Sequence, residues 1–235
     1  MRNRETVREQ QYAGHCGFTL VELLTVITVI GILLLIAVPV VQSVSASQKQ
    51  AQCLVNLREL GFAFRRYADD HSGMYPPGWK DRKGWATWLI EGDYVDVDTS
   101  RVDTIFTCPE HGSPFPGGTD RWPANNYSMH HRLGRESHQW GGTHPMRLNQ
   151  LSNLILLGDG FQIEGNFRRA NATFSDPSPF YSPNFNGDLQ AAIPVNETRG
   201  GISYRHRGSA NMLFVDGHVE SMRKGSILYK NIVID

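Results

Sequence analysis

The sharpest break in the hydrophobic pattern falls at Phe18. From there to Val41 the chain reads FTLVELLTVITVIGILLLIAVPVV, 24 residues in which Glu22 is the only ionisable side chain. A helix of that length rises roughly 36 Å, enough to cross a hydrocarbon core of about 30 Å with some tilt. A helix made for water would keep a polar face, and this run has only Thr19, Thr25 and Thr28 scattered along it. Pro39 interrupts its far end, removing one helical hydrogen bond and favouring a kink.

After Val41 the period changes. Cys53, Leu57, Leu60, Phe64 and Tyr67 recur at steps of four and three, one apolar stripe on a helix that is otherwise polar. Arg58, Glu59, Arg65 and Arg66 fall between them and are expected to face outward. The helix is predicted to run through 42–73 as an amphipathic stalk, stopped by Gly73 and the Pro76-Pro77 pair. Beyond it the pattern is short and loop-rich. Trp85 to Ile90 reads as a small amphipathic helix. Asp103 to Thr107 reads as a strand entering Cys108-Pro109, and Tyr127-Ser128-Met129 as another. Leu154 to Leu157 is a continuous apolar run, expected to be a buried strand ending at Gly158-Asp159-Gly160.

Residues 165–200 are rich in Asn, Pro, Ser and Gly and read as a long surface excursion. The strongest β signal lies near the C-terminus. Ala210 to Val215 and His218 to Met222 flank Asp216-Gly217, a hairpin with a predicted type I′ turn, which needs positive φ at both central residues. Met212 and Phe214 would face one side and Leu213 and Val215 the other, so the hairpin is expected to be central and covered on both faces. The fold class is therefore α+β. A long N-terminal helix packs on a C-terminal antiparallel β-sheet domain spanning 74–235.

Charge narrows the partners. The chain has 23 basic and 23 acidic residues. Loss of 1–17 would leave 20 against 21, so no basic excess favours a nucleic acid. Arg2, Arg4 and Arg8 precede the apolar run, and the first basic residue after it is Lys49. This asymmetry puts the N-terminus inside and the large C-terminal part outside the cytoplasm, in a compartment that oxidises thiols.

Gly17, then Phe18-Thr-Leu-Val-Glu22, then an unbroken apolar run with a late proline resembles the N-terminus of type IV prepilins and type II secretion pseudopilins. The resemblance implies a pilin-like fold and a leader, 1–17, removed between Gly17 and Phe18 by a membrane-embedded prepilin peptidase, which also methylates Phe18. It implies that 18–41 anchors the subunit in the inner membrane until an assembly platform extracts it into a filament. Glu22 would then meet the terminal amine of a neighbouring subunit, since two desolvated charges each lose their penalty only by pairing. A plain signal anchor is the alternative. Cleavage after Val44-Ser45-Ala46 is disfavoured because the preceding apolar run is longer than an ordinary signal peptide's. Cys16 would leave with the leader.

His206 precedes Asp216-Gly217 in an H-x9-D-G spacing within NMLFVDGHVE. This resembles the C-terminal motif of a large group of bacterial prepilin-like proteins, as do residues 51–78 and the Cys108-Pro109 and Gly158-Asp159 segments. Against the resemblance stand the bare side chains. His206, Asp216 and His218 are types that ligate zinc or manganese, but Asp216 is better explained by turn geometry. His206 is as readily a partner of Asp159 in the core. Cys108-x-x-His111 is half a zinc motif without its second pair. His130, His131, His138 and His144 are dispersed. Asp93, Asp96, Asp98 and Asp103 form an acidic loop that is more simply solvated than calcium-binding.

Cys53 and Cys108 remain after leader removal. An oxidising compartment favours a disulfide between them, with two buried free thiols as the alternative. No G-x-S-x-G, H-E-x-x-H or phosphate-binding glycine loop occurs, so no enzyme, cofactor or metal is expected. The expected function is that of a structural subunit. The alternative is a membrane-anchored binding module whose excursion captures a polymer through Phe167, Phe174, Phe180, Tyr181 and Phe185.

Overall fold

The computed structural model describes residues 18–98, 104–110, 125–130, 132–133, 148, 150–160, 173–174, 188–193 and 201–234. Helix α1 spans Leu20–Asp70. The chain divides into two compact units, Met1–Val44 and Ser45–Asp235, with the boundary inside this helix. In the first unit every described apolar side chain is exposed, from Phe18 through Val44. This part of α1 is long and apolar enough to cross a membrane, and Pro39 lies within the helix.

In the second unit the four-and-three stripe is the buried face of α1. Cys53, Leu57, Leu60, Phe64 and Tyr67 are buried together with Asn56, Ala63 and Ala68, while Arg58, Glu59, Arg65 and Arg66 are exposed. The helix stops at Asp70, just before the Gly73 and proline signals expected to end it. Gly73, at φ 80°, donates its N–H back to the Ala68 carbonyl at 2.7 Å. That is a left-handed C-terminal closure which glycine adopts without strain.

A two-stranded ribbon, β1 (Trp79–Lys80) and β2 (Lys83–Gly84), leads into α2 (Trp85–Glu91). The main sheet joins β3 (Tyr127–His130), β4 (Ile155–Asp159), β5 (Thr173–Phe174), β6 (Ser209–Phe214) and β7 (Val219–Arg223) in the order β5-β3-β4-β6-β7. All pairings are antiparallel except β3 with β5, which is parallel. A 3-10 turn, Tyr229–Asn231, follows.

The sheet has a core on each face, and the β6 alternation separates them. Leu213 joins Leu57, Leu60 and Phe64 of α1, with Trp85, Phe106 and Tyr127. Ala210, Met212 and Phe214 join Ile155, Ile193, Ile202 and Ile227 on the other side. A Cβ on Gly61 would stand 3.1 Å from Leu213 Cδ1, so this glycine lets α1 close onto β6. Leu156 and Leu157 both reach the α1 face because the β4–β6 register shifts between Ile155 and Leu157, as a bulge does.

Four expectations need correction. The segment 104–107 is a turn, not a strand. The Thr107 hydroxyl donates to the Thr104 carbonyl at 2.9 Å and accepts from Thr104 N–H at 3.1 Å. These local bonds compete with a sheet ladder. The hairpin tip is not a two-residue type I′ turn. Gly217 N–H donates to Phe214 O, and Phe214 N–H to His218 O. Of the Asp216-Gly217 pair, only Gly217 has positive φ, which describes a three-residue loop with glycine in the left-handed position. The double positive φ is found instead at Arg207 (52°) and Gly208 (82°), between His206 and Ser209, whose N–H and C=O groups pair at 3.0 Å both ways. Finally, β6 is covered on both faces, whereas β7 ends the sheet among the described residues and its side chains are half-buried or exposed. Within 165–200 the structure describes only 173–174 and 188–193; there Thr173–Phe174 is a strand and Ile193 is buried, so the excursion contributes to the fold.

Candidate functional site

Two places carry chemistry, one in each unit. At the N-terminal end Thr19 precedes the first helical residue. Its hydroxyl accepts from Glu22 N–H at 3.2 Å, and the Glu22 carboxylate accepts from Thr19 N–H at 2.8 Å and from its hydroxyl at 2.7 Å. This is a reciprocal capping box, Thr at the cap and Glu three residues on, which satisfies donors left free at a helix start. It was legible as T-x-x-E, a spacing that the apolar run around it masks. Phe18, Glu22 and Pro39 are exposed in the first unit. Gly17, Cys16 and the leader lie outside the described residues.

The second place is buried. Cys53, one face of α1, and Cys108, at the end of the 104–107 turn, have Cα atoms 5.3 Å apart and sulfurs in bonding contact, within the span that a disulfide requires. Cys108 is positioned by Asn126, whose side-chain oxygen accepts its N–H at 2.7 Å. The Tyr127 hydroxyl on β3 lies 3.2 Å from Cys53 Sγ. Burial holds that phenol well above its usual pKa, with Asp159 adding to the rise and Arg205 opposing it.

His206 arrives from the tight turn before β6, and its Nε2 stands 3.3 Å from Cys108 Sγ and 3.3 Å from Asp159 Oδ2. Its Nδ1 is 2.5 Å from Glu110 Oε2. Asp159 closes β4; its Oδ2 accepts Asn211 N–H at 2.7 Å. Arg205 Nε lies 3.7 Å from Asp159 Oδ1. Asp159, His206, Cys53 and Cys108 are all buried.

Of the residues singled out in the sequence, the structure therefore brings Cys53, Cys108, His206 and Asp159 together. Asp216 and Gly217 do not join them. Asp216 sits on the exposed hairpin tip, where its Oδ1 is 2.6 Å from His218 Nδ1 and accepts His218 N–H at 3.0 Å. The His218 ring stacks on Phe214. The trio His206, Asp216 and His218 is thus not one ligand set. His130 is buried with its Nε2 2.6 Å from the Ile232 carbonyl, a structural role. His111, His131, His138, His144, Asp103, Phe167, Phe180, Tyr181 and Phe185 fall outside the described residues, as does the Phe174 side chain. Sequence reasoning missed Glu110, Tyr127 and Arg205, which no motif marks, because each joins the cluster only through the sheet and the 104–110 turn.

Compared with known proteins, residues 13–38 match the family described as the prokaryotic N-terminal methylation motif. No curated protein and no solved structure matches the chain significantly. The match covers the Gly17-Phe18 junction, Glu22 and the apolar run up to Val38, and it supports a prepilin-type substrate carrying a membrane-anchoring helix.

Proposed function

We propose that this chain is a structural subunit of a type IV pilus or a type II secretion-like filament. A prepilin peptidase cuts between Gly17 and Phe18 and methylates Phe18. The helix 18–41 holds the subunit in the cytoplasmic membrane, N-terminus inside, with 74–235 outside. Other pilin or pseudopilin subunits and an inner-membrane assembly platform are its partners, and it performs no catalysis. The observation that carries this reading is the methylation-motif match over residues 13–38, ending in an apolar helix whose side chains are uncovered. Apolar surface of that extent needs lipid or a neighbouring helix, and head-to-tail packing that does not close produces a filament.

Glu22 is the assembly residue in this scheme. Its carboxylate already accepts two bonds from Thr19, so a neighbour's terminal amine would meet an oriented acceptor. Pro39 loosens the helix near the outer end of the span. In the outer unit the Cys53–Cys108 pair, once oxidised, staples α1 to the turn at 104–108. His206 and Asp216-Gly217 belong to the H-x9-D-G pattern of prepilin-like proteins, one in the core and the other at a hairpin tip.

Intact mass and N-terminal sequencing of the protein from native membranes test the processing. The expected product begins at N-methyl-Phe18; a chain starting at Met1 or at Ser47 overturns the reading. Glu22→Ala should leave the mature subunit in the membrane and abolish its incorporation into filaments.

A further inference from the structure

We propose that Cys53, Cys108, His206 and Asp159 form a metal site of the zinc class in the reduced chain. The four ligand atoms all lie within 4.8 Å of one another. Two sulfurs, an imidazole nitrogen and a carboxylate oxygen are donors that zinc accepts in a tetrahedron. The assignment is independent of the filament reading.

Three observations point to a positive centre in this space. His206 Nε2 faces Cys108 Sγ and Asp159 Oδ2, each at 3.3 Å. With Nδ1–H donated to the Glu110 carboxylate, which only accepts, the Nε2 lone pair of a neutral ring is aimed at the Cys108 thiol proton, beside the Asp159 oxygen. A cation in place of that proton would be shared by nitrogen, oxygen and sulfur. Glu110 at 2.5 Å from Nδ1 is also the carboxylate that commonly fixes the tautomer and orientation of a zinc-bound histidine. Lastly, Asp159 Oδ1 is buried and makes no hydrogen bond among the described residues; Arg205 Nε faces it at 3.7 Å, so the carboxylate keeps spare acceptor capacity at the site.

The charges also fit. Two thiolates, Asp159 and the Glu110 carboxylate are offset by a divalent ion and the neighbouring Arg205 guanidinium to within one negative charge. Loading requires no redox partner: two thiols release two protons as two metal–sulfur bonds form. Oxidation is the competing fate of the same pair. It forms the sulfur–sulfur bond and passes two protons and two electrons to a disulfide-carrying oxidoreductase. The chain would hold either the metal or the disulfide, not both.

The test uses the full chain in detergent, reduced with a non-chelating phosphine. It is given zinc, desalted against a weak chelator, and assayed for metal and free thiols. Reduced protein is expected to retain about one zinc per chain and oxidised protein almost none. Cobalt should give thiolate charge-transfer and tetrahedral absorption bands, lost in Cys53→Ser. Glu110→Gln, a substitution at the rim of the cluster, should weaken affinity roughly 10- to 100-fold with unchanged far-ultraviolet circular dichroism. If reduction unfolds the chain, zinc should restore the fold. Failure to refold, retention below about a tenth of an equivalent, or binding unaffected by Cys53→Ser would each overturn the site.

Discussion

The Asn56 side-chain amide donates to the Thr107 carbonyl at 3.0 Å, one turn of α1 after Cys53 has met Cys108. The helix is therefore tied to the 104–108 turn by two adjacent links, of which one is independent of thiol chemistry. Asn56 is fixed in turn by Gln52, whose amide it accepts at 2.9 Å. The redox state of the cysteines can then change without releasing the turn from the helix.

Asn56→Ala removes a buried donor and should cost about 1–3 kcal/mol. The loss is expected to be larger in the reduced protein, where this link acts alone. Thermal melts of wild-type and variant, with and without reductant, measure the difference. An equal loss in both states would show that the two links are not coupled.

Thr19→Val keeps the shape of the side chain and deletes the hydroxyl that both donates to the Glu22 carboxylate and accepts from Glu22 N–H. Loss of a capping residue is worth roughly 1 kcal/mol. The expected consequence is faster amide exchange in the first turn of α1, read by hydrogen–deuterium exchange in micelles, with the turns beyond Thr25 unchanged. Exchange that stays at the wild-type rate would mean the cap contributes nothing there.

Alkali should weaken the second unit, Ser45–Asp235. Burial pushes the Tyr75 hydroxyl up to about 12, and burial raises Tyr127 further. Both folded values lie above the unfolded value of about 10, so folded and unfolded states bind protons equally below that pH and stability is at its full value there. As pH rises from roughly 10 to 12 the unfolded chain loses the protons first, and Tyr75 alone would withdraw on the order of 3 kcal/mol. Melting temperatures across this window should fall steeply for the wild-type protein and less steeply for Tyr75→Phe. Matching slopes would refute the assignment to Tyr75.

Much of the architecture could be read along the chain because it rests on short-range periodicity. The apolar run follows from its unbroken length and the stripe from Cys53 to Tyr67 from the helical repeat; α1 holds the run from Leu20 on and the whole stripe. The alternation of Met212 and Phe214 against Leu213 and Val215 placed two cores on the two faces of β6, and they are there. Turn chemistry was less legible. Asp216-Gly217 and Arg207-Gly208 both end in glycine, and only the strand register decided which of them carries two positive φ angles.

By itself, then, the sequence determined what a residue's own neighbours control: the uncovered apolar helix, the buried stripe of its second half, the methylation-type junction and the apolar strands. Tertiary structure alone decided what sits beside what. Glu110 and His206 are 96 positions apart, with Asp159 about midway between them, yet the register of β4 with β6 and the turn at 104–107 set them around one buried point. Contacts of that kind depend on how sheet and helix close on each other, which no local repeat encodes.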